Sequence, residues 1–281
     1  MSARTRQIEV AGAGCTLHID APRFIGRTVA IGNFSCDTED TGIELLERAC
    51  SVARDLGAIS VIGPMDGDTW HSYRFVVESD GTKPFFLEPS NPVHFVAAFD
   101  RAGFERIEEY ASAIDTTLAP PRRRRRLPGI RLRNWNSDDV EGELANIFRI
   151  STGAFASNRF FTPIERQAFD RIYEPIVPLV DPELIILGEN DAGDAIGFLF
   201  AYSDPLDDHS PPAVVVKTYA TVVRGAGGLM LDRLYDVARS RGCPAIIHAL
   251  FHVDNRSRWA SEHRNGRVFR RYALWGRELI R

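Results

Sequence analysis

The sequence predicts an α+β chain made of two related units, each a mixed, mostly antiparallel sheet with a central βαβ crossover and flanking helices. An internal repeat, a strand–helix–strand pattern found in both copies, and a proline- and arginine-rich joint between them carry this reading. The repeat has an offset of 185 residues. Val52-Ala53-Arg54-Asp55-Leu56-Gly57 falls on Val237-Ala238-Arg239-Ser240-Arg241-Gly242, with four of six positions identical. The same offset places Ile59-Ser60-Val61-Ile62 on Pro244-Ala245-Ile246-Ile247, Leu45-Leu46 on Met230-Leu231, and Val29-Ala30-Ile31 on Val214-Val215-Val216. A spacing kept across two apolar runs and the segment between them points to a duplicated unit.

In the second copy, Val214 to Tyr219 is a β-branched run of the kind that forms a buried strand. A glycine turn follows. Met230, Leu234, Val237 and Ala238 then recur at helical spacing, and Gly242 suits the position just past a helix end. Ala245 to Phe251 reads as a second strand, so a right-handed crossover and a parallel pair are expected. The first copy repeats this as Thr28–Phe34, a helix around Ile43–Leu56 closed by Gly57, and Ile59–Gly63. Upstream of the second copy, Ile130–Asn134 reads as a strand. A helix over 138–153 is capped from Ser137-Asp138-Asp139, and a second covers 163–179, opening at Thr162-Pro163. Glu183–Gly188 and Ala195–Tyr202 form a hairpin closed at Asn190-Asp191-Ala192-Gly193. The joint, Ala119-Pro120-Pro121-Arg122-Arg123-Arg124-Arg125-Arg126-Leu127-Pro128-Gly129, has neither periodicity and separates residues 1–118 from 130–281.

Composition narrows the function classes. A chain of 281 residues with 44% hydrophobic and 26% charged residues is ordinary globular material for about two domains. A net charge of −4 and a pI near 6.0 disfavour a general nucleic-acid partner; Arg122–Arg126 reads as a solvated linker before it reads as a phosphate-binding patch. Cys15, Cys36, Cys50 and Cys243 lack metal or redox spacing, and neither a leader nor a membrane span is visible, so a cytoplasmic protein without metal is expected. Nucleophile-elbow, zinc-helix and phosphate-loop motifs are absent from the sequence.

Chemistry is expected at Arg224-Gly225-Ala226-Gly227-Gly228, between a strand and a helix. Backbone N–H groups there, unobstructed by Cβ atoms, form an anion nest at a helix N-terminus, with Arg224 adding charge. A diphosphate suits it. With the surrounding element order, this segment resembles the GNAT superfamily of acyl-CoA-dependent N-acyltransferases, whose pattern is Arg/Gln-x-x-Gly-x-Gly/Ala. Arg224, Gly227 and Gly225 match, while Leu229 departs from the final small position. The resemblance covers about 130–275 and implies acetyl-CoA as co-substrate. Tyr219 to Thr221 would lie along the pantetheine, with Tyr219 N–H on the thioester oxygen, and Ala226, Gly228 and Leu229 complete the cofactor turn. Asn255 stands where the family carries an asparagine. Glu262 stands where it commonly has a tyrosine acid, so Glu262, Ser261 or water would protonate the thiolate.

The first copy resembles the superfamily more faintly, through Ile62-Gly63-Pro64-Met65, Asn91-Pro92 and Phe99-Asp100-Arg101-Ala102-Gly103-Phe104-Glu105. Its turn is Glu39-Asp40-Thr41-Gly42, with Glu39 where Arg224 stands and Asp37 nearby. Carboxylates would repel a diphosphate, so this copy is expected to be degenerate and to shape the acceptor pocket. His252, on a strand face with His248, Leu250 and Asp254, is the favoured general base, with a strand-structural role as its alternative. Asp66 to Arg74, including Trp70, His71 and Tyr73, reads either as acceptor-binding or as a strand and turn with Trp70 between the halves. Glu189 is a further acceptor candidate, ahead of the exposed Asp207-Asp208-His209 loop. The reading is an N-acetyltransferase acting on a small-molecule or peptide amine. A non-catalytic sensor or interaction module is the alternative; acceptor identity and oligomeric state stay open.

Overall fold

The computed structural model describes residues 4–121 and 126–279. The basic run at Arg122–Arg125 lies outside them. The first half holds β1 (Thr5–Val10), β2 (Ala13–His18), β3 (Thr28–Cys36), α1 (Glu39–Asp55), β4 (Ser60–Gly63), β5 (Phe75–Ser79), α2 (Val93–Arg101) and β6 (Glu105–Asp115). The second holds β7 (Arg131–Asn134), α3 (Val140–Phe155), α4 (Arg166–Tyr173), β8 (Ile185–Glu189), β9 (Ala195–Ser203), β10 (Val214–Thr221), α5 (Ala226–Ser240), β11 (Ile246–His252), α6 (Arg256–Glu262) and β12 (Arg267–Glu278). The element order of the second half is the one its sequence predicts.

The repeat is structural. β3 and β4 pair in parallel with Val29 opposite Val61, and β10 and β11 pair in parallel with Val214 opposite Ile246, so the register is the same in both. The intervening helices end alike, with Gly57 (φ 79°) and Gly242 (φ 71°) in the left-handed conformation a glycine adopts without steric cost. They begin differently. Thr38 caps α1 through a capping box with Thr41. At α5, Gly225 (φ 93°) occupies the cap and no side chain bonds the first turn.

The sheet does not respect the joint. Its order is β1-β2-β3-β4-β12-β6-β11-β10-β9-β8-β7, with β5 also pairing β12. The chain's last strand thus lies beside β4 of the first half, and β6 of the first half lies beside β11 of the second. The two exchanged strands pair with each other from Arg267–Ile114 to Gly276–Glu105. Tyr272, Ala273, Leu274 and Trp275 on β12 are completely buried, as expected for a central strand covered on both faces. Trp275 enters the core of the first half and donates its indole N–H to Asp100 (2.7 Å).

Two local expectations change and a third is narrowed to one residue. The β1–β2 hairpin was absent from the predicted pattern. The expected helix over 163–179 is shorter: α4 starts at Arg166, and a 3₁₀ turn at Val177–Leu179 follows, because Pro175 and Pro178 cannot supply the N–H groups a continuous helix needs. The cap of α3 is Asp139, which accepts from Gly142 N–H (3.1 Å). No helix among the described residues is long and apolar enough to cross a membrane. All four cysteines are free and buried.

His248 lies in the sheet interior with its Nε2 2.9 Å from the Tyr235 hydroxyl. Burial lowers its pKa from 6.5 to about 4, against a smaller upward pull from Asp115. Between these values the unfolded chain binds the extra proton and the folded chain does not, so acid favours unfolding. The contribution is complete above pH 6.5 and gone below about 4, and a shift of this size corresponds to about 3 kcal/mol. Urea midpoints between pH 4 and 7 should fall steeply in acid for the wild type and more shallowly for His248→Gln. Equal slopes would exclude His248 as their source.

Candidate active site

The site opens where the parallel strands part. β10 and β11 pair only over Val214–Val216 and Ile246–His248. Lys217 is then bulged out of the β10–β9 register, and β11 shifts against β6 between His248 and Phe251. Within that shift Leu250 takes a left-handed conformation (φ 57°). Its N–H donates to Ser112 Oγ (3.0 Å) and its carbonyl accepts from Arg74 Nη1 (3.1 Å). Bulges re-aim strands and their side chains. Here the two strands splay, and beyond Val216 and His248 β10 and β11 no longer pair.

A cavity of about 950 Å³ occupies the splay and extends between the halves. Trp70, His71, Tyr73 and Arg74 of the first half line it, opposite Tyr219, His252 and Asn255 of the second. Trp70 also donates its indole N–H to Thr162 O (2.8 Å) and meets Phe161 and Phe169 edge-on. It therefore fills the inter-half core and lines the cavity. The Arg74 guanidinium sits in the corner formed by two perpendicular rings, 3.8 Å from the Tyr73 centroid and 4.0 Å from that of Tyr110.

The glycine turn closes the far end of β10. Thr221 Oγ1 donates to Ile196 O (2.9 Å) and accepts from Val223 N–H (3.0 Å), bending the chain into the turn. Arg224 and Gly225 are exposed there; Ala226 and Gly227 are buried, and Gly228 and Leu229 half-buried, in the first turn of α5. A Cβ on Gly227 would sit 3.3 Å from the Tyr219 ring, and one on Gly225 3.2 Å from Leu127. No side chain caps α5, so its N-terminal dipole can face an anion; Ala226 N–H and Gly228 N–H donate to Val223 O (3.3 Å) and Gly225 O (3.1 Å).

The first copy is closed at every corresponding point. Thr38 caps its helix, and Glu39 pairs with Arg101 (2.5 Å). Its splay is filled by its own chain: Met65 N–H donates to Ile31 O (2.7 Å), and Asp66 Oδ1 accepts from Asn33 N–H (2.7 Å).

His252 is held on both nitrogens. Nδ1 accepts from Asp254 N–H (3.1 Å), and Nε2 lies 2.6 Å from Glu108. Glu108 also accepts from Arg159 (2.8 Å). Burial pushes the Glu108 carboxyl up, but the hydrogen bond and charge of His252, then those of Arg159, hold it below the ordinary range. Glu108 comes from the exchanged strand β6, far from the second copy in sequence, and no motif marks it.

Two expected site residues lie elsewhere. Glu189, at the end of β8, pairs with Arg133 (2.5 Å) and is not in the cavity wall. Glu262 projects from the exposed side of α6 and pairs with Arg258 (2.8 Å); Ser261 is buried beneath it. The residue of α6 that does line the cavity is Ser257, one helical turn nearer the strand than the expected acid. Asp207 and Asp208 pair with His209 and Lys83 (both 2.5 Å) outside the wall. No cluster able to hold a metal is present among the described residues.

Solved structures share this architecture. A GCN5-related N-acetyltransferase from Sphaerobacter thermophilus aligns over 96% of this chain and 78% of its own, at 12% identity and a TM-score of 0.58. A tandem GNAT protein from the clavulanic acid biosynthesis pathway aligns over 96% of this chain and 80% of its own, at 15% identity and a TM-score of 0.55. The chain has the GNAT fold, in two units. Eis1 from Mycobacterium abscessus gives a further match, covering 95% of this chain and 61% of its own, at 14% identity and a TM-score of 0.51. No family model and no curated protein matches the sequence. Within the GNAT fold the parted strands are β10 and β11, and the glycine turn stands at the head of the helix between them.

Proposed function

We propose that the chain is an N-acetyltransferase that moves an acetyl group from acetyl-CoA directly to a primary amine, with donor binding in the second unit alone. One observation carries the reading: strand splay and helix N-terminus are open in the second unit and closed in the first. The uncapped first turn of α5, bare of Cβ atoms at Gly225 and Gly227, suits a diphosphate, and Arg224 adds charge. The edge of β10 that faces the splay suits an extended amide-bearing arm, with Tyr219 N–H as donor to the thioester oxygen. Asn255 and Ser257 stand at the opposite lip.

The amine nitrogen attacks the thioester carbonyl carbon; the C–N bond forms and the C–S bond breaks. The amine's proton leaves toward Glu108 and His252, the carboxylate–imidazole pair in the cavity wall. With both ring nitrogens engaged, His252 holds Glu108 and closes a path that water completes. The thiolate takes its proton from Ser257 or from water.

Calorimetric titration tests the donor site. Acetyl-CoA should bind at one site per chain, and Arg224→Glu should weaken it by about 30-fold or more, since it replaces an attracted charge by a repelled one. Glu39→Arg should leave the stoichiometry at one, because Thr38 still caps α1. Two sites, or no saturable binding by folded protein, would overturn the reading; the latter favours a non-catalytic module.

A further inference from the structure

We propose that the acceptor is a primary amine carrying a carboxylate and a large apolar group, with the carboxylate held by Arg74 and Lys217. This deepens the acyltransfer reading and rests on it for the role of the amine.

The first argument is charge. Arg74 and Lys217 face one cavity from opposite halves of the chain. Arg74 is buried in the corner of two perpendicular rings, and it donates to Leu250 O. The Lys217 ammonium donates to Leu87 O (3.3 Å). Neither forms an ion pair with a carboxylate among the described residues. Of the three carboxylates in the cavity wall, Asp254 follows His252 past the end of β11, and the other two are already engaged. Glu88 lies 2.9 Å from Arg270 and accepts from the Tyr272 hydroxyl, while Glu108 is held by Arg159 and His252. Burial, with Arg74 adding to it and Glu88 opposing, lowers Lys217 to about 8. Two cations left without counter-charge in a partly dry wall are costly unless an anion joins them. The donor's phosphates belong at the α5 turn, so the anion here belongs to the acceptor. A planar guanidinium fixed by two ring contacts and a bond to Leu250 O suits a carboxylate.

The second argument is shape. Beyond the transfer point the cavity runs between α3, α4 and the β8–β9 face, past Trp135, Phe155, Phe169, Tyr173, Phe198 and Phe200. An acetyl group and a small polar amine leave this chamber wet. An aromatic or long aliphatic side chain fills it, and burial of apolar surface there favours binding.

Binding of L-phenylalanine, L-phenylalaninamide, phenethylamine and glycine tests this by calorimetry, in parallel with acetyl-CoA titration and thiol release. L-phenylalanine should bind, and each of the other three should bind at least about 30-fold more weakly, because each lacks one recognised group. Lys217→Met and Arg74→Met should each bring phenylalanine to the level of its amide, and circular dichroism establishes that each variant is folded. If Arg74→Met fails to fold, Lys217→Met alone decides. Equal binding of phenylalanine and its amide, or no binding of phenylalanine by folded wild-type protein, would overturn the proposal. Amino-acid binding without acetyl-CoA binding would instead overturn the acyltransfer reading and leave the pocket assignment standing.

Discussion

Removal of β12 is expected to unfold the whole chain rather than trim its end. β12 lies between β4 and β6, also pairs β5, and carries Tyr272, Ala273, Leu274 and Trp275 at zero exposure. Deleting it exposes two central strand edges and opens the first-half core from its middle. Residues 1–118 expressed alone keep β6 but lack β12, and residues 126–281 keep β12 but lack β6. Each fragment should aggregate, and the two expressed together should recover soluble material. A single substitution reads the same coupling more gently. Trp275→Ala should cost about 3–5 kcal/mol in urea unfolding, the range for emptying a buried tryptophan site. A second term comes from Asp100, which loses its indole donor. Independent folding of either fragment, or a Trp275→Ala cost below about 1 kcal/mol, the scale of surface substitutions, would show that the exchange is ornamental.

This exchange also marks how far the sequence could be read. The parallel pairs, the helix ends at Gly57 and Gly242 and the strand order of the second half follow from local pattern, because β-branched runs, glycine caps and amphipathic spacing act over a few residues. The glycine turn from Arg224 to Gly228 is visible for the same reason, whereas Tyr219, Leu229 and Asn255 were assigned through the resemblance to the GNAT superfamily. β12 beside β4 was not, since Trp275 and Tyr272 are apolar residues in a strand wherever that strand is placed. Glu108 was invisible for a related reason: its partners His252 and Arg159 stand 144 and 51 residues away. Trp70 and Tyr73 drew notice as an aromatic cluster, yet only the placement of the halves shows the same rings both packing and lining the cavity. Glu262 was assigned by position along α6. The helix turns that position outward and brings Ser257 to the cavity.

Glu108→Gln is expected to lower kcat by about 100- to 10,000-fold, the usual range for losing a general base, while leaving acetyl-CoA affinity unchanged. The amide keeps the shape of the side chain but removes the charge that faces His252 and Arg159. Glu108 is buried, so the variant leaves Arg159 without its counter-charge and removes the acceptor facing His252, and stability should fall by about 1–3 kcal/mol. Stability alone would scatter effects across every readout. A catalytic role predicts a narrower result, namely an intact donor site by calorimetry, folded protein by circular dichroism, and slow transfer. His252→Asn separates the two members of the pair. If His252 holds Glu108, this variant keeps a carboxylate with Arg159 and loses less rate than Glu108→Gln. If the imidazole itself takes the proton, the order reverses. Full kcat in Glu108→Gln would remove Glu108 from the proton path, and full kcat in both variants would leave water as the base.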